Sequence, residues 1–277
     1  MDNNRGCYDL RKLQLEQLTI LDELKRVCDK NHLTFYLAYG SCLGALRHSG
    51  FIPWDDDIDI LMPVADYDKL MRLGDEFGGA FFLQNSSTDA EFPAAIARVR
   101  KNGTACIEQQ DLSLKCHQGI FVDIYPQYQY PDSFFQRARV ILASIFYRIL
   151  LANYAPKNHG KTVKFFGEVL LKILSCGNRE KRMERFAKIL RSYHGTKYVA
   201  DLYGMDLTLT RVIKYKSSWF AKPRFVQFEG REMPVPTEAE KYLAERYGQD
   251  FMEMPPEEKR HSYHHYAYVD FENEYHS

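Results

Sequence analysis

A chain of 277 residues with 45% hydrophobic side chains carries enough apolar material for one large domain or two small ones. Lys plus Arg and Asp plus Glu balance at 37 each, so no global field draws in nucleic acid and any basic surface must be local. Met1-Asp2-Asn3-Asn4-Arg5 runs into an acid- and lysine-rich amphipathic stretch instead of the apolar segment of a signal peptide, which predicts a cytoplasmic chain. Cys7, Cys28, Cys42, Cys106, Cys116 and Cys176 are scattered without a C-x-x-C pair and read as reduced thiols. Nothing in the spacing of Cys106, Cys116 and His117 enforces a tetrahedral zinc set.

Residues 8–31 predict an amphipathic helix, because Leu10, Leu13, Leu18, Leu21, Leu24 and Val27 recur near helical spacing among Glu, Lys and Arg. A short strand over 33–38 leads to Gly40-Ser41, a brief helix over 42–47 and a strand over 57–62. A helix over 66–77 and strands over 81–84, 94–100, 104–107 and 119–125 follow, giving a mixed sheet flanked by helices and an α+β class. The second half changes character, since 133–154, 162–176 and 179–193 read as helices. Arg137, Arg139 and Arg148 leave the first of them short of the roughly twenty uncharged residues that a membrane span needs. These helices read as a packed subdomain; the alternative is peripheral membrane contact, with Lys161, Lys164, Lys172, Arg179, Lys181 and Arg182 near acidic headgroups. Residues 225–236 predict a hairpin turning at Glu229-Gly230-Arg231. A helix over 237–247 should follow, with Thr237 as N-cap and Glu240 completing a capping box. With no repeat or low-complexity linker, the simplest organisation is one domain over 1–277. Its α/β core spans 30–130, segment 220–270 returns to that core, and 131–215 forms a helical subdomain.

Four carboxylates fall within Trp54-Asp55-Asp56-Asp57-Ile58-Asp59-Ile60. From Asp57 onward the acids alternate with aliphatic residues, and on a strand this period points Asp57 and Asp59 to one face while Ile58 and Ile60 pack behind. Their oxygens can then converge on a hard divalent cation, with Mg2+ (or Mn2+) the candidate. A solvated acidic turn is the competing reading, and it suits Asp55 and Asp56, just after Pro53, better than Asp57 and Asp59. Gly40 and Ser41 precede a helix start, where small residues let backbone N–H groups approach a phosphate. A third acid, Asp123, sits in Ile120-Phe121-Val122-Asp123-Ile124-Tyr125-Pro126, where burial without a partner would be costly.

The stretch from Tyr39-Gly40-Ser41-Cys42 through His48-Ser49-Gly50-Phe51-Ile52-Pro53-Trp54 to Asp59-Ile60 resembles the signature of the LicD family of phosphocholine transferases, whose distant relatives include the fukutin-type ribitol-phosphate transferases. The likeness extends weakly through Arg98 and Asp123. It returns in Phe228-Glu229-Gly230, Pro234-Val235-Pro236, Tyr242-Leu243, Tyr247-Gly248 and the tail from Pro255 to Arg260 with its histidines. The resemblance implies a nucleotidyltransferase-like fold with a helical insertion. It also implies metal-dependent transfer of phosphocholine, or a related substituted phosphate or phosphonate, from CDP-choline or another CDP- or CMP-linked donor. The implied acceptor is a sugar hydroxyl of a glycan or lipid-linked glycan (lipopolysaccharide, teichoic acid or capsule), met at the inner face of the cell membrane. Asp57 and Asp59 would be metal ligands, and Asp123 a third ligand or the general base.

The residues support such chemistry independently. Phosphoryl transfer needs negative charge neutralised, an attacking hydroxyl aligned opposite the leaving group, and a base for its proton. Arg47, His48 and Arg98 are candidate phosphate contacts or else structural partners for acids. Among His261, His264 and His265, His265 is taken as a substrate contact, against the alternative of a polar tail. Two rival functions remain: nucleotidyl transfer from an NTP to a protein, sugar or small molecule, with loss of pyrophosphate, and a non-catalytic binding protein of the same fold. Three convergent acids argue against the second, since their repulsion costs stability without a cation.

Overall fold

The structure, a computed structural model, describes residues 8–152, 178–202, 212–262 and 264–275. Helix α1 (Leu10–Lys30) starts where the Asp9 side chain accepts the Lys12 N–H at 3.0 Å. It buries Leu13, Leu18, Leu21, Leu24 and Val27, as its periodicity predicts. Gln14 and Gln17 are buried on the same helix, and both reach the acidic loop described below.

The central sheet is ordered β1 (Tyr36–Leu37), β2 (Asp59–Pro63), β6 (Phe121–Tyr130), β4 (Ala97–Lys101), β3 (Phe81–Gln84). β7 (Tyr198–Asp201) pairs with β6, and β8 (Lys214–Lys216) pairs with β7. β2 and β6 run parallel and their neighbours antiparallel, so the sheet is mixed and the fold α+β. β6 pairs with β4 over 121–124 and with β7 over 127–130, running past the expected end at 125. Pro126 falls at this changeover between partners, where a missing N–H interrupts no continuous ladder on that edge. β2 begins at Asp59, so Asp57 lies in the extended lead-in to the strand.

Helix α2 (Tyr39–His48) starts earlier than expected and takes Gly40 and Ser41 into its first turn. The segment expected as one helix to 77 divides into α3 (Val64–Leu70) and a 3-10 turn at Gly74–Glu76, since Gly74 weakens a continuous helix. α4 (Phe134–Ala152) and α5 (Arg179–Leu190) pack over the far end of β6 and over β7, where Tyr128, Tyr130, Val140, Ile141, Leu190 and Ala200 form a second apolar cluster. The helix expected over 162–176 and the last two residues of 133–154 lie outside the described residues. Among the described residues no helix is long and apolar enough to cross a membrane.

β9 (Pro223–Phe228) and β10 (Arg231–Pro236) form the expected hairpin. Its turn is the two residues Glu229 and Gly230, with φ of 51° and 75°, the backbone signs of a type I′ turn. Helix α6 (Ala239–Tyr247) corrects the predicted capping box. Its N-cap is Glu238 without a side-chain cap bond, because the Thr237 hydroxyl is taken by the Lys222 carbonyl and Glu240 pairs with Arg224. β11 (Tyr266–Asp270), not anticipated from the sequence, pairs antiparallel with β5 (Ala105–Glu108) and carries the histidine-rich tail back to the acidic loop.

Candidate active site

The parallel register of β2 and β6 sets Asp59 directly beside Asp123, and period two along the chain brings Asp57 to the same side. The strand entry is pinned from α2, where the Ser41 hydroxyl accepts the Asp59 N–H at 2.9 Å. Gly40, one residue earlier, lies against the Asp55 carboxylate, where a Cβ would come within 2.6 Å of Oδ2. From behind, Gln14 and Gln17 of α1 donate to the carbonyls of Asp55 and Asp56 at 2.9 and 2.8 Å. The acid run is therefore a braced loop.

Asp56 overturns the solvated-turn reading for its own position, since it is fully buried. It accepts from the Tyr8 hydroxyl at 2.9 Å and the Ser262 hydroxyl at 2.5 Å, and it pairs with His264 Nδ1 at 3.0 Å. That anchor aims His264 Nε2 toward Asp57, 3.8 Å from Oδ2. Burial alone would strip His264 of its proton, but Asp56 and Asp57 outweigh it and push the imidazole up to about 10.

The acids themselves are held above their ordinary range. Burial comes first for Asp57, reinforced by Asp56 and Asp123 and opposed by His264, and pushes it up to about 6. Asp55 rises to about 8 through burial and then Asp57 and Asp56. Asp59 is raised well above the usual carboxylate range by burial, then by Asp57, Asp123 and Asp55, and its buried Oδ1 has no hydrogen-bond partner. A buried, unpartnered carboxylate oxygen among other acids is costly unless a cation completes it. Asp123 already has a counter-ion, for Arg98 Nε donates to its Oδ1 at 2.6 Å while the guanidinium lies 3.9 Å from the Phe121 ring centroid.

These acids open on a cavity of about 900 Å³. Asp55, Asp57, Asp59 and His264 line it together with the cations Arg47, Arg246 and Lys259. Tyr39 adds a strained element, because its φ of 45° is unusual for a bulky residue. The conformation is held by the Tyr39 N–H donating to the Tyr242 hydroxyl at 3.1 Å, by the Tyr39 hydroxyl donating to Asp201, and by Arg246 stacked 4.1 Å over the ring.

Of the residues singled out from sequence, Gly40, Arg47, Asp57 and Asp59 line this cavity. Ser41 acts from behind through its strand bond, and Arg98 acts on Asp123. His48 stands outside the cavity wall and accepts from Arg47 Nε at 3.0 Å. His265 is exposed, with its carbonyl accepting the Gln109 N–H, while the cavity takes the adjacent His264. Among the described residues, the acidic or histidine trio whose ligand atoms approach within 4.8 Å of one another is Asp56, Asp57 and His264. The Asp57, Asp59 and Asp123 set does not close to that distance. Asp57 belongs to both sets, and the orphan oxygen of Asp59 is the feature that fits a divalent cation best. The roles of Arg246 and of the Asp56–His264 pair were not found from sequence; the available signals were that Asp56 and the tail histidines fall in the stretches of family likeness and that Arg246 directly precedes one of them, Tyr247-Gly248.

Residues 32–142 match the family described as LicD/FKTN/FKRP, nucleotidyltransferase domain. Over 267 residues, 92% of this chain and 96% of the other, the sequence is 27% identical to the lipopolysaccharide cholinephosphotransferase LicD of Haemophilus influenzae. It is also 24% identical over 124 residues, 45% of this chain and 43% of the other, to an uncharacterized protein of Rickettsia prowazekii.

Proposed function

We propose that this chain, whose residues 32–142 match the LicD/FKTN/FKRP nucleotidyltransferase-domain family, transfers phosphocholine, or a related substituted phosphate or phosphonate, from a CDP- or CMP-linked donor to a sugar hydroxyl of a cell-surface glycan such as lipopolysaccharide. The observation that carries this reading is a buried set of acids, one with an orphan oxygen, facing cations across a cavity large enough for a nucleotide. A divalent cation held at Asp57 and Asp59, Mg2+ or Mn2+, would neutralise phosphate charge. Arg246, Arg47 and Lys259 supply fixed positive charge on the remaining wall for the donor's phosphates.

Asp123 is the candidate acceptor for the proton of the attacking hydroxyl and can take it only by leaving its pair with Arg98. His264, kept protonated by Asp56 and Asp57, has its Nδ1 committed to Asp56 and its Nε2 toward Asp57, and so serves as a cation or proton donor at the cavity. The protein would work in the cytoplasm, meeting a lipid-linked acceptor at the membrane's inner face.

The test is nucleotide release followed with phosphorus NMR. Purified protein and Mg2+ are supplied with CDP-choline, CDP-ethanolamine, CDP-ribitol, CMP-aminoethylphosphonate, CTP or ATP and a crude surface-glycan acceptor, with Asp59→Asn as the blank. CMP release from one CDP- or CMP-linked donor, absent in the blank, is the expected result and names the group moved. Pyrophosphate released from an NTP would transfer the protein to the nucleotidyl-transfer class.

A further inference from the structure

A second cavity, of about 210 Å³, shares no lining residue with the large one, yet Arg98, which holds Asp123, forms part of its wall. Its polar lining is Arg98, Arg100, Glu108, Asp111, Gln110 and Gln118. Phe92 and Phe121 supply aromatic faces, and the guanidinium carbons of Arg98 and Arg100 lie 3.9 and 4.9 Å from the Phe121 ring centroid. Arg100, only 3% exposed, is fixed by donating to the Gln84 amide oxygen and the Gly119 carbonyl, each at 2.6 Å. Gln118 in turn donates to the carbonyls of Asp111 and Leu114, which holds the loop that roofs the cavity. Arg100 and Gln118 are therefore held in place within the lining.

Arg98 is already paired with Asp123, which leaves Arg100 against Glu108 and Asp111, so the cavity has no positive surplus with which to select an anion. What it offers is a mixture of donors, acceptors and ring faces, the complement of a neutral polyol. The volume falls below the roughly 300 Å³ at which pockets for drug-sized ligands begin, which excludes a nucleotide and leaves room for a single sugar ring.

We propose that this cavity binds the terminal sugar of the acceptor glycan, so that donor and acceptor enter by separate cavities on either side of the Asp123–Arg98 pair. The role of the sugar rests on the transfer reading above; its binding does not. Asp59, Asp123 and Arg98 are register partners across β2, β6 and β4, so one row of side chains runs from the donor cavity at Asp59 to the wall of the second cavity at Arg98.

Ala94, on the rim, provides a variant that fills the cavity without touching the acids. Saturation-transfer NMR with a panel of methyl glycosides is run on wild type, Ala94→Trp, Gln110→Ala and Asp59→Asn, each checked for a cooperative melting transition. Signal from at least one glycoside is expected in wild type and in Asp59→Asn, weakened in Gln110→Ala and lost in Ala94→Trp. No glycoside signal in wild type, or an undiminished one in Ala94→Trp, overturns the proposal. In turnover, Ala94→Trp should raise the acceptor KM about tenfold or more at unchanged donor KM. A rise in donor KM instead would assign the cavity to the donor and overturn it equally. If every CDP-linked donor is inert while Ala94→Trp still removes glycoside binding, the transfer reading fails and the sugar site stands.

Discussion

Burial and three neighbouring acids hold the Asp59 carboxyl far above its ordinary range, so without a cation the side chain must keep its proton or destabilise the fold. Removing the charge should then separate function from stability. Asp59→Asn is expected to lower turnover at least about a hundredfold, yet to melt higher than metal-free wild type at pH 8, read by differential scanning fluorimetry. Asp57 gives the pH dependence its sign. Its folded value near 6 exceeds the unfolded value of about 3.9, so between those limits the native state binds more protons than the unfolded chain. Its contribution is therefore favourable below the window and lost as pH rises through it, the reverse of a salt-bridged carboxylate. Metal-free protein should melt lower at about pH 7 than at about pH 5, and millimolar Mg2+ should recover more stability at the higher pH. An equal Mg2+ effect at both would remove Asp57 from the metal site.

The site depends on two helices, α2 presenting the small residues Gly40 and Ser41 and α1 the amides of Gln14 and Gln17 to the acid loop. In α2 the contact is steric. Gly40→Ala would ordinarily stabilise a helix by up to about 1 kcal/mol, but here the new methyl meets the Asp55 carboxylate at 2.6 Å. The expected result is weaker Mg2+ binding by calorimetry and lower turnover, with no gain in melting temperature. In α1 the contact is a hydrogen bond, for Gln14 satisfies the Asp55 carbonyl from the buried side of the helix. Gln14→Leu keeps the volume and strands that carbonyl, so unfolding by urea should show a loss of roughly 1–3 kcal/mol, and donor turnover should fall with it. Unchanged turnover at reduced stability would make α1 a packing helix alone.

At the scale of the whole molecule, acids, cations and aromatic rings from α2, the acid loop, α6 and the C-terminal tail meet around one cavity, so a bound metal and donor should couple to global stability. Mg2+ with a CDP-linked donor at about a hundred times its Kd should add about 2.7 kcal/mol by mass action, seen as a rise in melting temperature that EDTA reverses. The absence of a shift with any cytidine ligand would count against the donor class. Local order was readable from the residues themselves. The α1 stripe, the Glu229-Gly230 hairpin, the α+β class and the common side of Asp57 and Asp59 follow from periods and turn chemistry that act over a few positions. Even there, the Thr237 cap failed, because a hydroxyl free to cap its own helix was claimed by the carbonyl of Lys222. What tertiary structure alone decided was which members of each cluster matter. Sequence sorts Asp56 with Asp55 into a solvated turn and does not separate His264 from His265, until β11 pairs with β5 and joins Asp56 to His264 across 208 positions. Arg246 likewise acquires its place when α6 packs on α2 and stacks it over Tyr39. Periodicity fixes the face on which a side chain stands, whereas burial, ion pairing and displaced pKa values arise from contacts between distant segments, which exist only once the chain has closed around them.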